Sequence, residues 1–168
     1  MNLTKIYKWL TYILAIPTAF IAFFSLFGIL IAMANPQMLL PVFIMVCIVL
    51  YYISSFIFLR KVVIKQLTCK KIIKDLIKIN SIASLIFSVL NIVQIFSILF
   101  NPSFVEATIN TIVQQNQGNI NTIFSKHQIA TLFYTVSGIV ALFSVLLITH
   151  ILIGFKLIKT YDDSFLKD

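Results

Sequence analysis

Five polar side chains inside long apolar runs are the groups of this chain whose types could carry chemistry. Ser84, Ser88, Asn91 and Gln94 recur at helical spacing. If tyrosines and cysteines are left aside, His150 is the only ionisable residue within the apolar runs. A polar side chain in hydrocarbon is costly, so such groups face protein or a wet cavity. The row predicts either hydrogen bonds between helices or the lining of a path for a small polar or amphipathic solute.

His150 allows two interpretations. A histidine can relay protons near neutral pH. Along a helix it lies about 9 Å from Lys156, and no Asp or Glu in any apolar run is available to pair with it. We expect a hydrogen-bonded histidine near the inner membrane interface, and a proton relay is the alternative.

The sequence lacks the residue combinations on which hydrolysis depends. Membrane hydrolases need a nucleophile with its base, paired carboxylates or a metal site. The apolar runs contain no Asp or Glu, and the chain has no GxSxG, HExxH or Gly-rich phosphate loop. Cys47 and Cys69 belong to no CxxC pair and fall at different depths, which argues against a disulfide. We therefore expect no catalytic residue, no cofactor and no metal site, and a protein that is not an enzyme.

Four uncharged runs must position the polar side chains. The chain has 168 residues, of which 60% are hydrophobic and 11% charged, whereas soluble domains are nearer half apolar and a quarter charged. Each run is long enough, or nearly so, to cross a hydrocarbon core of about 30 Å. The sequence thus predicts an all-α integral membrane protein, with 1–168 as a single four-helix transmembrane domain. The expected transmembrane helices are 10–34, 41–59, 79–100 and 129–155.

The connections predict two antiparallel hairpins. Asn35-Pro36 and Pro41 mark a short turn, because proline opposes helix continuation, and two helices joined so closely run antiparallel. A basic loop, 60–78, precedes the third helix, and a longer loop, 101–128, follows it. An offset of 66 residues aligns Asn35-Pro36 with Asn101-Pro102. This alignment suggests a duplicated hairpin, with chance matching of abundant residues as the alternative.

Charge predicts the orientation. With the N-terminus inside, twelve of the thirteen Lys and Arg residues are cytoplasmic, and only Lys126 is outside. Both termini are therefore expected in the cytoplasm. Richness in Lys, Ile and Asn is typical of AT-rich bacterial genomes, so the chain is expected to be integral to a bacterial inner membrane. Tyr7, Trp9 and Tyr12 fit an aromatic belt at the inner end of the first helix.

The net charge of +8 indicates lipid rather than nucleic acid as the partner. A basic protein can bind nucleic acid, but here the charge lies beside apolar runs, where it marks the cytoplasmic face. Lys70, Lys71, Lys74 and Lys78 share one side of a helix. We expect these four lysines to reach anionic lipid headgroups.

Small residues recur every three or four positions along the first helix. Thr18, Ser25, Gly28 and Ala32 belong to this seam, and such seams let helix backbones approach closely in lipid. We expect the seam to pack within the chain. A face for self-association or for a partner helix is the alternative.

The outer loop, 101–128, carries helical spacing. Val105, Ile109 and Ile112 share a face, and apolar residues at 120, 123 and 124 resume the spacing beyond Gly118 and lead to His127. The loop therefore predicts two short amphipathic helices on the outer surface or capping the bundle, with a flexible loop as the alternative.

Two functions are compatible with these features. The first is a non-catalytic polytopic inner-membrane protein that acts through helix packing and its outer loop, as an assembly subunit, a regulator or a protector. The second is an oligomeric channel or facilitator for an uncharged or amphipathic solute, which requires several copies because four helices leave little central space. In either case the expected partners are membrane lipids and the protein itself or another membrane protein.

Overall fold

Four long apolar helices dominate the structure. The computed structural model describes residues 3–115 and 125–166. Among these residues, four helices are long and apolar enough to cross a membrane, which confirms the prediction of an all-α membrane protein with transmembrane helices. They are Leu3–Ala34, Pro36–Ile64, Lys71–Phe100 and Lys126–Thr160.

Each helix extends beyond the uncharged run that predicts it. Lysine is a good helix former, so the helices continue into the basic flanks. The described elements are α1 (Leu3–Ala34), a 3-10 turn (Pro36–Met38), α2 (Leu39–Phe58), a π-helical turn (Leu59–Ile64), β1 (Cys69–Lys70), α3 (Lys71–Phe100), α4 (Pro102–Gln115), α5 (Lys126–Thr160), a second 3-10 turn (Asp162–Ser164) and β2 (Phe165–Leu166).

The segment predicted as the basic loop 60–78 is ordered. The helix continues through the π-helical turn to Ile64, with Lys65 as its C-cap. Gln66, the next residue, has a left-handed φ of 54°, as is common just past a helix end. Strand β1 then pairs in parallel with β2, with Cys69 opposite Phe165 and Lys70 opposite Leu166. This pairing joins the loop after α2 to the segment after α5.

The chain divides into two compact units. Unit 1 comprises Met1–Ser88 and Leu146–Asp168, and unit 2 comprises Val89–Val145. Unit 1 therefore contains α1, α2, both strands, the first part of α3 and the last part of α5. Unit 2 contains α4 together with the remaining parts of α3 and α5.

In unit 1, α1 packs closely against α2 through its small residues. Thr11, Thr18, Ser25 and Ala32 recur every seven positions and are all buried. A Cβ added to Gly28 would lie 2.9 Å from a Val42 methyl, so the glycine permits the close approach. Thr18, Ser25 and Ala32 of the seam are therefore buried within the chain, as expected.

In unit 2, an apolar cluster joins α4 to the other two helices. Val105 and Ile109 of α4 are buried with Ile98 of α3, and Ile129 and Phe133 of α5 pack against them. The first predicted amphipathic helix is thus present as α4. The second falls mostly on 116–124, outside the described residues, while its last position, 127, lies in the first turn of α5.

Gly28 of α1 and Gly138 of α5 make a matched pair of substitutions. Gly28→Leu should lower the free energy of unfolding by about 1–3 kcal/mol, because the new side chain collides with Val42. Gly138→Leu should leave it within about 0.5 kcal/mol, since a Cβ there meets nothing within 4 Å. Unfolding midpoints in mild detergent measure both, and equal losses would contradict the described packing.

Candidate functional site

His150 of α5 is fully buried and joins three helices. Its Nε2 lies 2.9 Å from Thr11 Oγ1 on α1, and its Nδ1 lies 2.7 Å from the Tyr51 hydroxyl on α2. Both ring nitrogens therefore have a partner. The structure places the histidine as the hydrogen-bonded group that the sequence favours.

The direction of these bonds follows from the threonine. Thr11 Oγ1 donates its single hydrogen to the carbonyl oxygen of Tyr7, 2.8 Å away, so it can only accept from His150. Nε2–H is then the donor. In a neutral ring, which an apolar site without a carboxylate favours, Nδ1 accepts from the Tyr51 O–H, and the tautomer is Nε2–H. The bonds form one directional chain from Tyr51 to the α1 backbone.

Aromatic rings enclose the histidine. Tyr7 stacks on it with centroids 4.4 Å apart and planes 9° apart, and Tyr51 meets it edge-on at 5.6 Å. Tyr7 also contacts Phe58 edge-on, and Phe58 stacks on Phe165 of β2 at 5.8 Å. The cluster thus continues from the histidine to the paired strands.

Two buried hydroxyls beside the histidine have no hydrogen bond within the described residues. Tyr7 Oη and Ser55 Oγ are both fully buried and make no hydrogen bond of standard geometry there, although Ser55 lies close enough to interact with the Tyr7 and Tyr51 hydroxyls. A Cβ added to Gly154 would lie 3.7 Å from both the Tyr7 and the Tyr51 hydroxyl oxygens. In this cluster, these two hydroxyls lack a standard hydrogen bond, whereas both ring nitrogens of His150 have one.

The arrangement favours a structural role for the histidine. No carboxylate contacts His150 among residues 3–115 and 125–166, so a charged imidazole would lack a counter-ion in an apolar site. Both nitrogens are held by hydroxyls, and neither lies against a nucleophile on an open surface. A proton relay remains an untested alternative.

The serines of α3 bond to their own helix. Ser84 Oγ donates to the Asn80 carbonyl and Ser88 Oγ to the Ser84 carbonyl, each at 2.8 Å, and Ser81 Oγ donates to the Lys78 carbonyl. All three serines are fully buried. They act as small residues on a packing face, in place of the hydrogen bonds between helices that the sequence suggests.

Asn91 and Gln94, the two α3 amides that lie in unit 2, differ in their environment. Asn91 is half-buried and has an interaction partner within the chain. Gln94 is exposed on the surface of the chain. The sequence predicts that both amides face protein or a wet cavity. For Gln94, this chain by itself does not provide such a surface.

The four lysines that the sequence places on one side of a helix have different environments in the structure. Lys70, Lys71 and Lys78 are exposed, and their contact with lipid headgroups stays a prediction. Lys74 instead forms a salt bridge with Asp162 and lies 5.6 Å over the ring of Phe165. Its charge holds the segment after α5.

The sequence pattern does not indicate the partners of His150. It predicts Tyr7 in an interfacial belt with Trp9 and Tyr12, but Tyr7 is fully buried, whereas Trp9 and Tyr12 are 67% and 45% exposed. The belt assignment is wrong for Tyr7. A signal was present, because Tyr7 lies four residues before Thr11 and so shares the face of the small-residue seam.

Unit 2 carries a charged cavity between the start of α4 and the start of α5. Its volume is about 340 Å³, and Lys126 Nζ donates to Asn110 Oδ1 across it at 3.2 Å. The cavity is open and combines an acid, a base and a histidine. It is lined by Glu106, Ile109, Asn110, Lys126, His127 and Ala130.

Comparison with known proteins adds no relative. No family model matches the chain, and neither a curated protein nor a solved structure matches it. The function must therefore be inferred from the residues and their geometry.

Removal of one hydroxyl tests the histidine network. Tyr51→Phe leaves Nδ1 of His150 as a buried acceptor without a donor, so the free energy of unfolding should fall by about 1–3 kcal/mol. Tyr52→Phe is the matched control, because its hydroxyl bonds only to the Thr11 carbonyl at 3.1 Å in a part-buried position. It should lose less, and a larger loss at Tyr52 in detergent unfolding would count against the network.

Proposed function

We propose that this chain is a polytopic inner-membrane protein with two antiparallel hairpins and both termini in the cytoplasm. The asymmetry of twelve basic residues against one supports the orientation. Within unit 1, the contacts Gly28–Val42 and Thr11–Tyr52 run in opposite directions along α1 and α2, which supports the first hairpin. The pairing of β1 with β2 supports one membrane side for the basic loop and the C-terminal segment.

Cysteine labelling tests this orientation. In a background with Cys47→Ala and Cys69→Ala, Glu106→Cys should react with a membrane-impermeant maleimide on intact cells, because Glu106 is exposed on α4. Gln66→Cys, exposed between the π-helical turn and β1, should react only after permeabilisation. The reverse pattern would invert the proposed topology.

The function that we propose is non-catalytic: the chain acts by packing against another membrane protein, as an assembly subunit, a regulator or a protector. The observation that carries this proposal is the exposed amide of Gln94. It lies about 9 Å along α3 from Phe100, within a helix that is apolar enough to cross a membrane. An amide facing hydrocarbon loses its hydrogen bonds, so a partner surface stabilises it.

The contrast between the units supports this division of roles. In unit 1 the histidine and the α3 serines find hydrogen-bond partners inside the chain, so unit 1 serves as the scaffold. In unit 2, Thr131, Thr135 and Gly138 are exposed along one side of α5, and small residues favour close contact with another helix. The charged cavity gives unit 2 a second recognition feature on the proposed outer side.

The alternative is an oligomeric channel or facilitator for an uncharged or amphipathic solute. The same exposed amide favours it if the partner is a second copy of the chain, because copies of Gln94 could then meet within the membrane and supply polar lining. The number and identity of the bound chains distinguish the two functions.

Association measured after mild solubilisation tests the proposal. A tagged chain should co-purify with a stoichiometric partner, whose mass identifies either a second protein or a defined homo-oligomer. Gln94→Leu should weaken that association roughly threefold or more, because hydrogen bonds between membrane helices contribute about 0.6 kcal/mol each and up to about 1.7.

The control is Phe20→Leu, which changes an exposed side chain on α1 and should leave association unchanged. A homo-oligomer that also passes solutes in liposomes would favour the channel over the accessory role. A bare monomer at all detergent concentrations, for both the unaltered chain and the variants, would overturn the proposal.

A further inference from the structure

Two cavities in unit 1 are lined by cations and aromatic rings. One, of about 420 Å³, lies on α1 and is lined by Lys5, Lys8, Trp9 and Tyr12. The other, of about 220 Å³, lies at the end of α2 and is lined by Phe56, Ile57, Arg60, Lys61 and Lys65. Neither set includes the lysines of α3 that the sequence singles out.

An aromatic ridge lies between the two sets of residues. The Tyr52 hydroxyl donates to the carbonyl of Thr11, the neighbour of Tyr12, at 3.1 Å, and Tyr52 is close enough to Tyr12 to interact with it electrostatically. Tyr52 also stacks on Phe56 with centroids 6.2 Å apart. The ridge Tyr12–Tyr52–Phe56 therefore places both cavities on one side of the α1–α2 pair.

The positive charge of this surface is uncompensated in the described part of the chain. The salt bridge described there pairs Lys74 with Asp162, and neither residue lines the cavities. Arg60 lies 5.8 Å over the Phe56 ring, a contact that leaves its charge in place. The surface thus offers cations to an anion from outside the chain.

The lining distinguishes a lipid from a free anion. Trp9 and Tyr12 are exposed beside the lysines, and such rings prefer the boundary between headgroups and acyl chains. Lysine stems cover apolar surface while the ammonium groups reach phosphate. A free phosphate would use the cations alone, whereas a phospholipid uses the cations and the aromatic floor together.

We propose that these two cavities bind anionic phospholipids, with one headgroup phosphate at each cationic rim and the start of the acyl chains along the aromatic ridge. The site is independent of the Gln94 surface, so either proposal can fail without the other. Because the binding is measured in detergent, it is also independent of the orientation of the chain.

Trp9 makes the first cavity directly observable, since it is the single tryptophan of the chain. In mild-detergent micelles, phosphatidylglycerol with brominated acyl chains should quench Trp9 fluorescence at a lower mole fraction than brominated phosphatidylcholine. Lys5→Gln with Lys8→Gln should shift the phosphatidylglycerol curve roughly fivefold per lysine removed. Lys156→Gln with Lys159→Gln, two exposed lysines outside both cavities, is the charge-matched control and should leave the curve in place.

Native mass measurement counts both cavities. The unaltered chain should retain two phosphatidylglycerol molecules and the Lys5→Gln, Lys8→Gln variant one. The Arg60→Gln, Lys61→Gln variant should also retain one.

Three results would overturn the proposal. Equal quenching by the two brominated lipids would remove the headgroup preference. An equal shift in the Lys156→Gln, Lys159→Gln control would reduce the effect to net charge. Loss of the preference on adding inorganic phosphate at the lipid concentration would indicate a free-anion site instead.

Discussion

Hydrocarbon supplies no hydrogen-bond partner, so each polar group in an apolar helix must be satisfied by the protein. In unit 1 this constraint organises the structure. The α3 serines return their hydrogens to their own helix, and His150 accepts from Tyr51 and donates to Thr11. Since Thr11 passes its hydrogen to the Tyr7 carbonyl, three helices are held by one directional chain.

Unit 2 differs from unit 1 in how far its side chains are buried within the chain. Few of its described side chains are buried, and the apolar cluster around Ile98, Val105 and Ile109 joins the ends of its helices. Gln94 is exposed on the surface of the chain. The contrast between the hydrogen-bonded histidine and α3 serines of unit 1 and the exposed Gln94 of unit 2 is the physical basis for proposing partner recognition by unit 2.

The helices could be predicted because they depend on local properties: uncharged length and the Asn-Pro and Pro breaks are properties of neighbouring residues. The site could be predicted only in part. His150 was found because an ionisable group in an apolar run is conspicuous, but its partners lie 139 and 99 residues away, beyond any spacing rule. Lys74 was grouped with its lysine neighbours by helical angle, yet it pairs with Asp162, 88 residues on. Which residue of a basic row finds an acid depends on tertiary contact.

Photocrosslinking in the native membrane tests directly whether the surface of another protein lies against Gln94. A photoreactive amino acid at position 94 should give one adduct of defined protein mass, while the same group at position 20, an exposed α1 site, should give none. If position 94 labels only lipid and neither position gives a discrete protein adduct, Gln94 faces the bilayer. That result would contradict the proposed partner surface.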